Sequence, residues 1–384
     1  MGEKLVAETI FWLIIFIIFY IYAGYPLFLI LLSLFINNKV DKKDIEPTVT
    51  FLITVYNEEK AIEDKLKNTL SLDYPRDKLQ IIVASDGSTD KTDEIVKRFR
   101  HNGAILHRVE GRVGKTETQN QAMKKATGDI IIFSDGTTKC ERNVIRNIVR
   151  NYNDPTVGAV SGRYEYKDPS GGPVGFSQIL FWKYENMNKI CQTKIKTLTG
   201  CYGPIYSIRR ELYEPLPRDI ISDLVEPLKI LEKGYRIVFE RDALAYELTT
   251  ESTPQEFKMR VRVISRGMDG LLYVKKLFNP FKFGLVSFQL ISHKILRWFI
   301  PLFIIVLFFT NIFLLSDRFY VLTFIAQIVF YFLALLGWIT DSLNMKTKIF
   351  SIPLYFCIVN LASFVSLVRI ILRKKSVTWE PIRN

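Results

Sequence analysis

The stretch "DIIIFSDGTT", residues 129–138, is an apolar run that ends on a serine, an aspartate and a glycine. The isoleucines and the phenylalanine at 130–133 predict a strand that is buried on both faces of a sheet. Asp135 then lies at the carboxyl end of that strand, where open α/β sheets bind their ligands. Ser-Asp-Gly also forms turns readily, so the motif alone leaves two interpretations: a plain turn, or a carboxylate that binds a metal ion or a phosphate ester.

Strands and helices alternate on both sides of this stretch. Strands are predicted at 48–57, 79–85, 103–109 and 129–134, and helices at 58–72, 88–100 and 115–126. This alternation predicts an α/β domain with a mostly parallel sheet, right-handed crossovers and helices on both faces. Because parallel strands end at the same edge, we expect residues 54–58, residues 85–88 and Asp135 to share one crevice.

Two motifs offer hydrogen-bonding or anion-binding groups at this edge. "ASDGSTD" (84–90) presents Asp86, which either accepts hydrogen bonds from a ligand or belongs to a turn and helix cap. "GRVGKTETQN" (111–120) places Lys115 at the start of a helix, which is a natural anion site. Its glycine spacing is neither that of a Walker P-loop nor that of a dinucleotide-binding fingerprint.

Two further motifs lie in the second half of the chain. Asp223 in "SDLVEP" (222–227) either caps a helix or acts as a base. In "KMRVRVISRGMDGLL" (258–272), Arg262 and Arg266 share a helix face. That face is either a solvated basic surface beside a membrane or a clamp for a diphosphate leaving group.

Four long segments carry no charged residue, namely 9–38, 299–316, 319–340 and 349–368. Each is long enough to span a bilayer and lacks the polar face of a core helix. The first segment is either one tilted span or a re-entrant hairpin broken at Gly24 and Pro26. Trp298, just before the second segment, is predicted to be an interfacial anchor.

The predicted organisation has three parts. Residues 1–45 form an N-terminal transmembrane helix and linker, residues 46–275 a cytoplasmic domain, and residues 276–384 an interfacial segment followed by transmembrane helices at about 299–316, 319–340 and 349–370. The net charge is +13, and much of it lies beside the apolar segments, as at Lys39, Lys42 and Lys43. Anionic membrane lipids explain this charge better than nucleic acid does, so no nucleic-acid partner is expected.

Six motifs in order carry a family resemblance. They are "TVYNEEKAI" (54–62), "SDGSTDKT" (85–92), "GKTETQN" (114–120), "IIIFSDGTT" (130–138), "GPIYSIRR" (203–210) and "SDLVEP" (222–227). With them the chain resembles glycosyltransferase family 2, the cellulose-synthase-like superfamily, over about residues 46–272. The resemblance implies a GT-A-like domain, an inverting reaction, and a sugar moved from a nucleotide-diphosphate sugar, with a UDP-sugar expected, to a lipid-linked or polysaccharide acceptor.

The resemblance also implies roles for single residues. Thr54, Tyr56, Glu58, Asp86, Lys115 and Asp135 would bind the nucleotide sugar. Asp135 would bind Mg²⁺ or Mn²⁺, Asp223 would be the general base, and Arg266 would be the catalytic arginine of the family's Q-x-x-R-W motif. Gly203 and Arg262 would bind the acceptor.

The chain departs from the family pattern at several positions. Thr137 stands where the metal motif Asp-x-Asp has its second acid, and Ser222 stands where many relatives carry an acid. Val263 and Gly267 replace the glutamine and the tryptophan of Q-x-x-R-W. These departures keep a second hypothesis open, a non-catalytic sugar-nucleotide-binding membrane subunit of a glycan assembly or export complex.

The orientation in the membrane is a separate question. Nucleotide sugars are cytoplasmic, so the catalytic domain of an integral protein of the cell membrane should face the cytoplasm. One leading and three trailing spans would then put the basic residues 373–384 outside, against the positive-inside rule. We therefore expect one trailing segment not to cross fully. The sequence indicates no oligomeric state.

Overall fold

The computed structural model describes residues 2–168, 173–249, 252–343, 345 and 348–373. Its strands form one eight-stranded sheet in the order β3-β2-β1-β4-β7-β6-β8-β5. The strands are β1 (Val49–Val55), β2 (Leu79–Ser85), β3 (Ala104–Arg108), β4 (Ile130–Asp135), β5 (Lys139–Cys140), β6 (Val157–Lys167), β7 (Ile205–Arg209) and β8 (Arg236–Leu248). The first four lie where the sequence predicts strands.

The helices between the first four strands follow the predicted alternation, although the first two begin at Ile62 and Thr92 rather than at 58 and 88. The α-helices are α1 (Gly2–Phe19), α2 (Tyr25–Phe35), α3 (Ile62–Leu70), α4 (Thr92–Arg98), α5 (Lys115–Met123), α6 (Val144–Val149), α7 (Pro173–Ile195), α8 (Ser222–Glu232), α9 (Thr253–Tyr273), α10 (Pro280–Phe283), α11 (Leu285–Leu290), α12 (Leu296–Phe313), α13 (Arg318–Ser342) and α14 (Ser351–Ile371). Single π-helical turns at Tyr20–Gly24 and Ile291–Ile295 join α1 to α2 and α11 to α12.

Strand β1 lies at the centre of the parallel part of the sheet, and all seven of its residues are buried. It pairs in parallel with both β2 and β4, so that Thr54 is opposite Ala84 on one side and Asp135 on the other. The predicted common edge is therefore present. Beyond β4 the sheet becomes mixed, because β7 runs antiparallel to both β4 and β6.

Helices cover both faces of the sheet, as the period-2 alternation of β1 requires. Phe51 and Ile53 belong to a core that includes residues of α3, α4 and α6. Leu52 belongs to a second core that includes residues of α5, α8, α9 and α11. This second face connects the sheet to the apolar helices at the end of the chain.

Four helices are long and apolar enough to cross a membrane: Gly2–Phe35, Leu285–Phe313, Arg318–Ser342 and Ser351–Ile371. The first is continuous, so the hairpin alternative is wrong. Its Pro26 lacks the N–H of a regular helical hydrogen bond, and the π-turn Tyr20–Gly24 just before it accommodates this without ending the helix. The predicted basic end of the chain beyond Arg373 lies outside the described residues.

The apolar helices pack directly on the domain. Tyr25 and Leu29 of α2 form a buried cluster with Cys191 and Ile195 of α7. Ala362 of α14 is buried in a cluster with three residues of α9. Helices α7 and α9 thus connect the sheet to the candidate transmembrane helices.

One buried carboxyl group lies within the core of the domain. Glu226 on α8 is 4% exposed and accepts a hydrogen bond of 2.8 Å from the Tyr206 hydroxyl of β7. Burial raises the pKa of Glu226 to about 8, although the Tyr206 hydrogen bond acts in the opposite direction. The folded protein therefore holds a proton here that the unfolded chain releases at lower pH.

We predict that Glu226→Gln changes how stability depends on pH. The stability that comes from the raised pKa is fully present below the pKa of Glu226 in the unfolded chain and is lost as pH rises toward about 8. The free energy of unfolding of the variant should therefore increase relative to that of wild type between about pH 5 and about pH 8. The gain is at most about 1.4 kcal/mol per pH unit. Thermal unfolding in detergent measures it, with Glu211→Gln at an exposed site as control. Parallel profiles of Glu226→Gln and wild type would contradict the prediction.

Candidate functional site

A cavity of about 400 Å³ opens between the carboxyl edge of the sheet and helices α7, α8, α9, α12 and α14. Most of the predicted site residues line this cavity: Glu58, Lys115, Asp135, Gly203, Asp223, Arg262 and Arg266. Segments that are far apart in the chain therefore contribute to one space. Thr54, Tyr56 and Asp86 are not among the residues that line it.

Asp135 and Lys115 form an ion pair at one end of the cavity. The Lys115 ammonium donates to Asp135 Oδ1 at 2.5 Å, and the two side chains are 20% and 31% exposed. Asp135 ends β4 and Lys115 begins α5, so both positions follow from the strand-helix pattern. Both side chains are partly exposed, so an incoming anion could replace the Asp135 carboxylate as the partner of Lys115.

A buried lysine supports the turn that carries Asp135. Lys65 of α3 is 1% exposed and donates to Ser134 Oγ at 2.8 Å and to the Thr138 carbonyl at 2.6 Å. Burial lowers its pKa, while Cys140 and Asp135 act in the opposite direction. The helix of residues 58–72 was predicted without a role for Lys65, because a charged residue in an amphipathic helix ordinarily faces solvent.

Asp223 lies in the first turn of α8 and faces the same cavity. Among the described residues, its buried Oδ1 has no hydrogen-bond partner. It does not cap α8, whose preceding residue is Ile221. Burial raises the pKa of Asp223, and the charges of Lys115 and Arg266 partly oppose this rise. A carboxylate with a free oxygen and a raised pKa is suited to accept a proton.

Gly203 makes room for this carboxylate. A Cβ atom at position 203 would clash with Asp223 Oδ2. The glycine of the "GPIYSIRR" segment is thus needed where it approaches the carboxylate, and any larger residue would displace Asp223. The predicted contact of Gly203 with an acceptor stays a prediction.

The arginines of α9 have different environments. Arg266 is 6% exposed and donates to the Ile220 carbonyl at 2.9 Å, two residues before the start of α8. Arg262 lines the cavity one turn away, and burial lowers its pKa, as does the charge of Arg266. Arg260 pairs instead with Glu256 at 2.7 Å. Arg262 and Arg266 therefore supply cations beside Asp135 and Asp223.

Asp86 is fully buried, and its carboxylate is occupied by the loop before α5. Its Oδ1 accepts from Val113 N at 2.8 Å, from Gly114 N at 3.0 Å and from the Thr118 hydroxyl at 3.1 Å. Gly87 has a φ of +68° and touches the Gly111 carbonyl so closely that a Cβ would overlap it. Asp86 thus shapes the loop that ends on Lys115, and a direct nucleotide contact would require an exchange of these hydrogen bonds.

Tyr56 contacts this loop, and Thr54 lies near the end of β1. Thr54 is 1% exposed, and its buried hydroxyl has no partner among the described residues. The Arg112 guanidinium lies 3.9 Å from the centre of the Tyr56 ring. Their predicted contact with a nucleotide sugar stays a prediction.

A second carboxylate lies next to Thr137. Glu247, near the end of β8, accepts from the Thr137 hydroxyl at 3.1 Å and from Tyr164 at 2.9 Å, and it lines the cavity. Within the described part of the chain, no group of three or more His, Cys, Asp or Glu residues is arranged to hold a metal. The donors present fit a divalent ion that takes one or two carboxylates and completes its shell with phosphate oxygens.

Trp298 lies in the wall of the cavity rather than only at a membrane interface. A Cβ at Gly267 would come within 3.2 Å of Trp298 Cζ2, so the indole lies directly against α9. Gly267 is the position at which the family's Q-x-x-R-W motif has its tryptophan. The tryptophan missing from α9 is thus matched in space by one from α12.

The overall architecture has a solved counterpart. Mannosyltransferase PcManGT from Pyrobaculum calidifontis, solved in complex with GDP-Man and Mn²⁺, superposes with a TM-score of 0.74 over 96% of this chain and 99% of that one. The two sequences are 21% identical, so the likeness is one of fold. It confirms the predicted GT-A-like domain flanked by apolar helices.

Curated relatives are similar over the domain. Poly-beta-1,6-N-acetyl-D-glucosamine synthase of Staphylococcus aureus (strain COL) is 29% identical over 234 residues, which cover 58% of this chain and 55% of the relative. Probable glycosyltransferase YdaM of Bacillus subtilis (strain 168) is 27% identical over 237 residues, covering 56% and 54%. The chain thus matches about half the length of each relative.

The family model named Glycosyl transferase family 2 matches residues 50–216, which run from β1 to just beyond β7. The matched range contains the Asp135–Lys115 pair and Gly203, and it lies within the predicted domain of residues 46–275. Residues 50–216 of this chain are therefore similar to glycosyltransferase family 2 domains.

Proposed function

We propose that the chain is a membrane-anchored glycosyltransferase that moves a sugar from a nucleotide-diphosphate sugar to a lipid-linked or glycan acceptor. The observation that carries the proposal is the position of Asp223, whose unpartnered Oδ1 faces the cavity that also contains the Asp135–Lys115 pair. A base and an anion-binding group are the two functions that this transfer needs. The names of the relatives support a sugar-transferring activity.

In this proposal the donor's diphosphate binds at Lys115 and Arg266, and Arg262 contacts the acceptor. As the bond between the anomeric carbon and the phosphate oxygen breaks, its electron pair and the developing charge pass to the diphosphate. Cations in a partly buried site stabilise that charge more strongly than they would in water. Arg266 is held by the Ile220 carbonyl, so its guanidinium is positioned before the reaction begins.

A divalent ion is expected with the donor. Asp135 would hold it together with the diphosphate oxygens, with Glu247 as the next carboxylate along the wall. When bound, the ion would neutralise charge on the leaving group. Mn²⁺ in the solved PcManGT complex supports a divalent ion of this kind.

The acceptor's hydroxyl oxygen forms the new bond to the anomeric carbon, and its proton passes to Asp223. A single displacement of this kind inverts the configuration of the anomeric carbon. Gly203 keeps the space beside Asp223 Oδ2 free, so that the carboxylate keeps its position. The raised pKa of Asp223 makes it a stronger base than an exposed aspartate.

The donor's base and sugar are open to direct test. We propose a UDP-sugar, and a panel should also include GDP-mannose, because the solved mannosyltransferase binds it. If nucleotide sugars bind without any transfer to lipid or glycan acceptors, the chain is instead a non-catalytic sugar-nucleotide-binding subunit. The replacement of the second acid by Thr137 is the feature that favours that alternative.

We propose that the domain faces the cytoplasm and that the four apolar helices anchor it in the cell membrane. The large exposed side chains on these helices, such as Phe16 and Phe332, fit contact with lipid. Cysteine labelling of single variants from either side of sealed vesicles would locate the carboxyl end of α14.

Asp223→Asn should keep the shape of the site and lose its base. We expect kcat to fall by about 10² to 10⁴, with the dissociation constant of the nucleotide unchanged. Transfer from a radiolabelled nucleotide sugar measures the rate, and calorimetry measures nucleotide binding. Asp77→Asn, at an exposed site in the turn Arg76–Lys78, is the control. Near-normal turnover of Asp223→Asn would remove this residue from the mechanism.

Arg266→Met should move the acid limb of the pH–rate profile to higher pH. The rate falls as pH drops through the pKa of Asp223, and Arg266 is one of the charges that lower this pKa. Arg266→Lys keeps the positive charge and should leave the limb close to its wild-type position. If the acid limb of the Arg266→Met profile lies at the same pH as in wild type, whatever the maximal rate, then a group other than Asp223 titrates there.

Asp135→Ala should remove the coupling between metal and nucleotide. In wild type, Mg²⁺ or Mn²⁺ should tighten nucleotide-diphosphate binding by a factor within about 5 to 150, and nucleotide should tighten metal binding by the same factor. Calorimetric titration with metal or with chelator measures both. If wild type binds the nucleotide equally well with metal and with chelator, Asp135 is only a turn residue.

Thr137→Asp should restore the family's pair of acids and strengthen that coupling. The new carboxylate would lie beside Glu247, which Thr137 now contacts at 3.1 Å. The two carboxylates repel each other without a cation, so the gain in nucleotide affinity should appear only when metal is present. The same calorimetric titrations test this variant, and a gain in chelator would contradict the explanation.

A further inference from the structure

The cavity also contains a second group of charged residues, which the proposed reaction does not use. Glu185 of α7 is buried and contacts His293 Nε2 at 3.3 Å and the Arg297 guanidinium at 2.6 Å. Its negative charge is thus matched by Arg297. Lys189 and Lys294 line the same cavity and add two further cations.

Neither lysine has a carboxylate partner within the described ranges. Lys189 is 8% exposed; its ammonium donates to the Gly200 carbonyl at 2.7 Å and lies 4.2 Å from the centre of the Tyr202 ring. For Lys294, the structure gives no hydrogen bond or ion pair to any residue it describes. Burial lowers the pKa of Lys189 to about 8, and repulsion from Lys294 adds to this effect. Two neighbouring buried cations cost stability unless an anion binds between them.

Asp223 interacts electrostatically with both groups of cations. Its partners are Lys115 and Arg266, and also Lys294. Lys189 interacts with Lys294, Glu185 and Asp223. The base is therefore close enough to act on a substrate bound at either group, and only the first group is needed for the diphosphate of the donor.

The second group is built into the apolar helices. Lys294 lies in the π-turn Ile291–Ile295, within the candidate span Leu285–Phe313. Such turns are frequent at functional sites. Trp298 on α12 and Val359 and Ser363 on α14 line the cavity close by. An anion bound here would have apolar helices beside it, as the phosphate of a lipid does.

We propose that Lys189 and Lys294 bind the phosphate or diphosphate ester of a lipid-linked saccharide, whose reacting hydroxyl then reaches Asp223. This inference rests on the proposed function and narrows its acceptor to an anionic lipid. A neutral glycan would leave the two ammonium groups without a counter-charge. A phosphate acting as the nucleophile itself would be ionised already and would not need a base.

The test uses the full chain in detergent micelles and measures binding by thermophoresis. The probes are geranylgeranyl diphosphate, uncharged geranylgeraniol, inorganic pyrophosphate and UDP. Lys189→Met and Lys294→Met should each weaken geranylgeranyl diphosphate by at least about tenfold, the range for a hydrogen bond to a charged group. UDP affinity should be unchanged. Lys282→Met, at an exposed lysine of α10, is the matched control and should bind as wild type does.

Wild-type competition keeps the proposal testable if a variant does not fold. Saturating UDP should not displace geranylgeranyl diphosphate, because the two diphosphates bind to different cations. Displacement, or a parallel loss of UDP binding in Lys294→Met, would assign the lysines to the donor and overturn the inference. Pyrophosphate or geranylgeraniol binding as tightly as the lipid diphosphate would also overturn it.

The inference and the proposed function can fail separately. Lipid diphosphate binding that depends on Lys294, together with no transfer from any nucleotide sugar, would contradict the transferase and support the subsite. Transfer to a neutral glycan at a rate unaffected by Lys294→Met would support the transferase and overturn the subsite.

Discussion

The parallel pairing of β1 with both β2 and β4 is the constraint on which the site depends. It places the ends of three buried strands side by side, with Thr54 opposite both Ala84 and Asp135. Because every residue of β1 is buried, a register shift by one residue would exchange its side chains between the two cores that pack on its faces, and neither core would fit. The location of Asp135, and of the loop that Asp86 holds, is therefore set by the core of the sheet rather than by local contacts.

Much of this half of the fold could be predicted from sequence, because its strands and helices follow one another and pair with near neighbours. Glu247 could not be found in that way, since β8 reaches Thr137 only through pairing across a mixed sheet. The role of Asp86 was also hidden, because spacing places a residue at an edge without showing which way its side chain turns. Gly24 and Pro26 looked like a break, but a π-turn accommodates them within one helix.

The charged side chains of the cavity form separate pairs rather than one cluster. Asp135 contacts Lys115, and Glu185 contacts Arg297, while Asp223 has an oxygen that takes no hydrogen bond from the described residues. A buried charge without a hydrogen-bonded partner is costly, so it favours a ligand of opposite charge. Asp223 and the two lysines, which form no ion pair with the described residues, are the groups for which a substrate can supply such a partner.

The contact between Gly267 and Trp298 has a consequence for how such enzymes diverge. Position 267 on α9 is glycine, and the ring of Trp298 from α12 packs against it, so positions 267 and 298 share a single volume. A tryptophan introduced at position 267 alone would overcrowd this volume, and a small residue in place of Trp298 alone would leave it empty. Both changes are costly in a packed interior. A motif that is incomplete along the chain can thus be complete in three dimensions, and its two halves would have to change together during evolution.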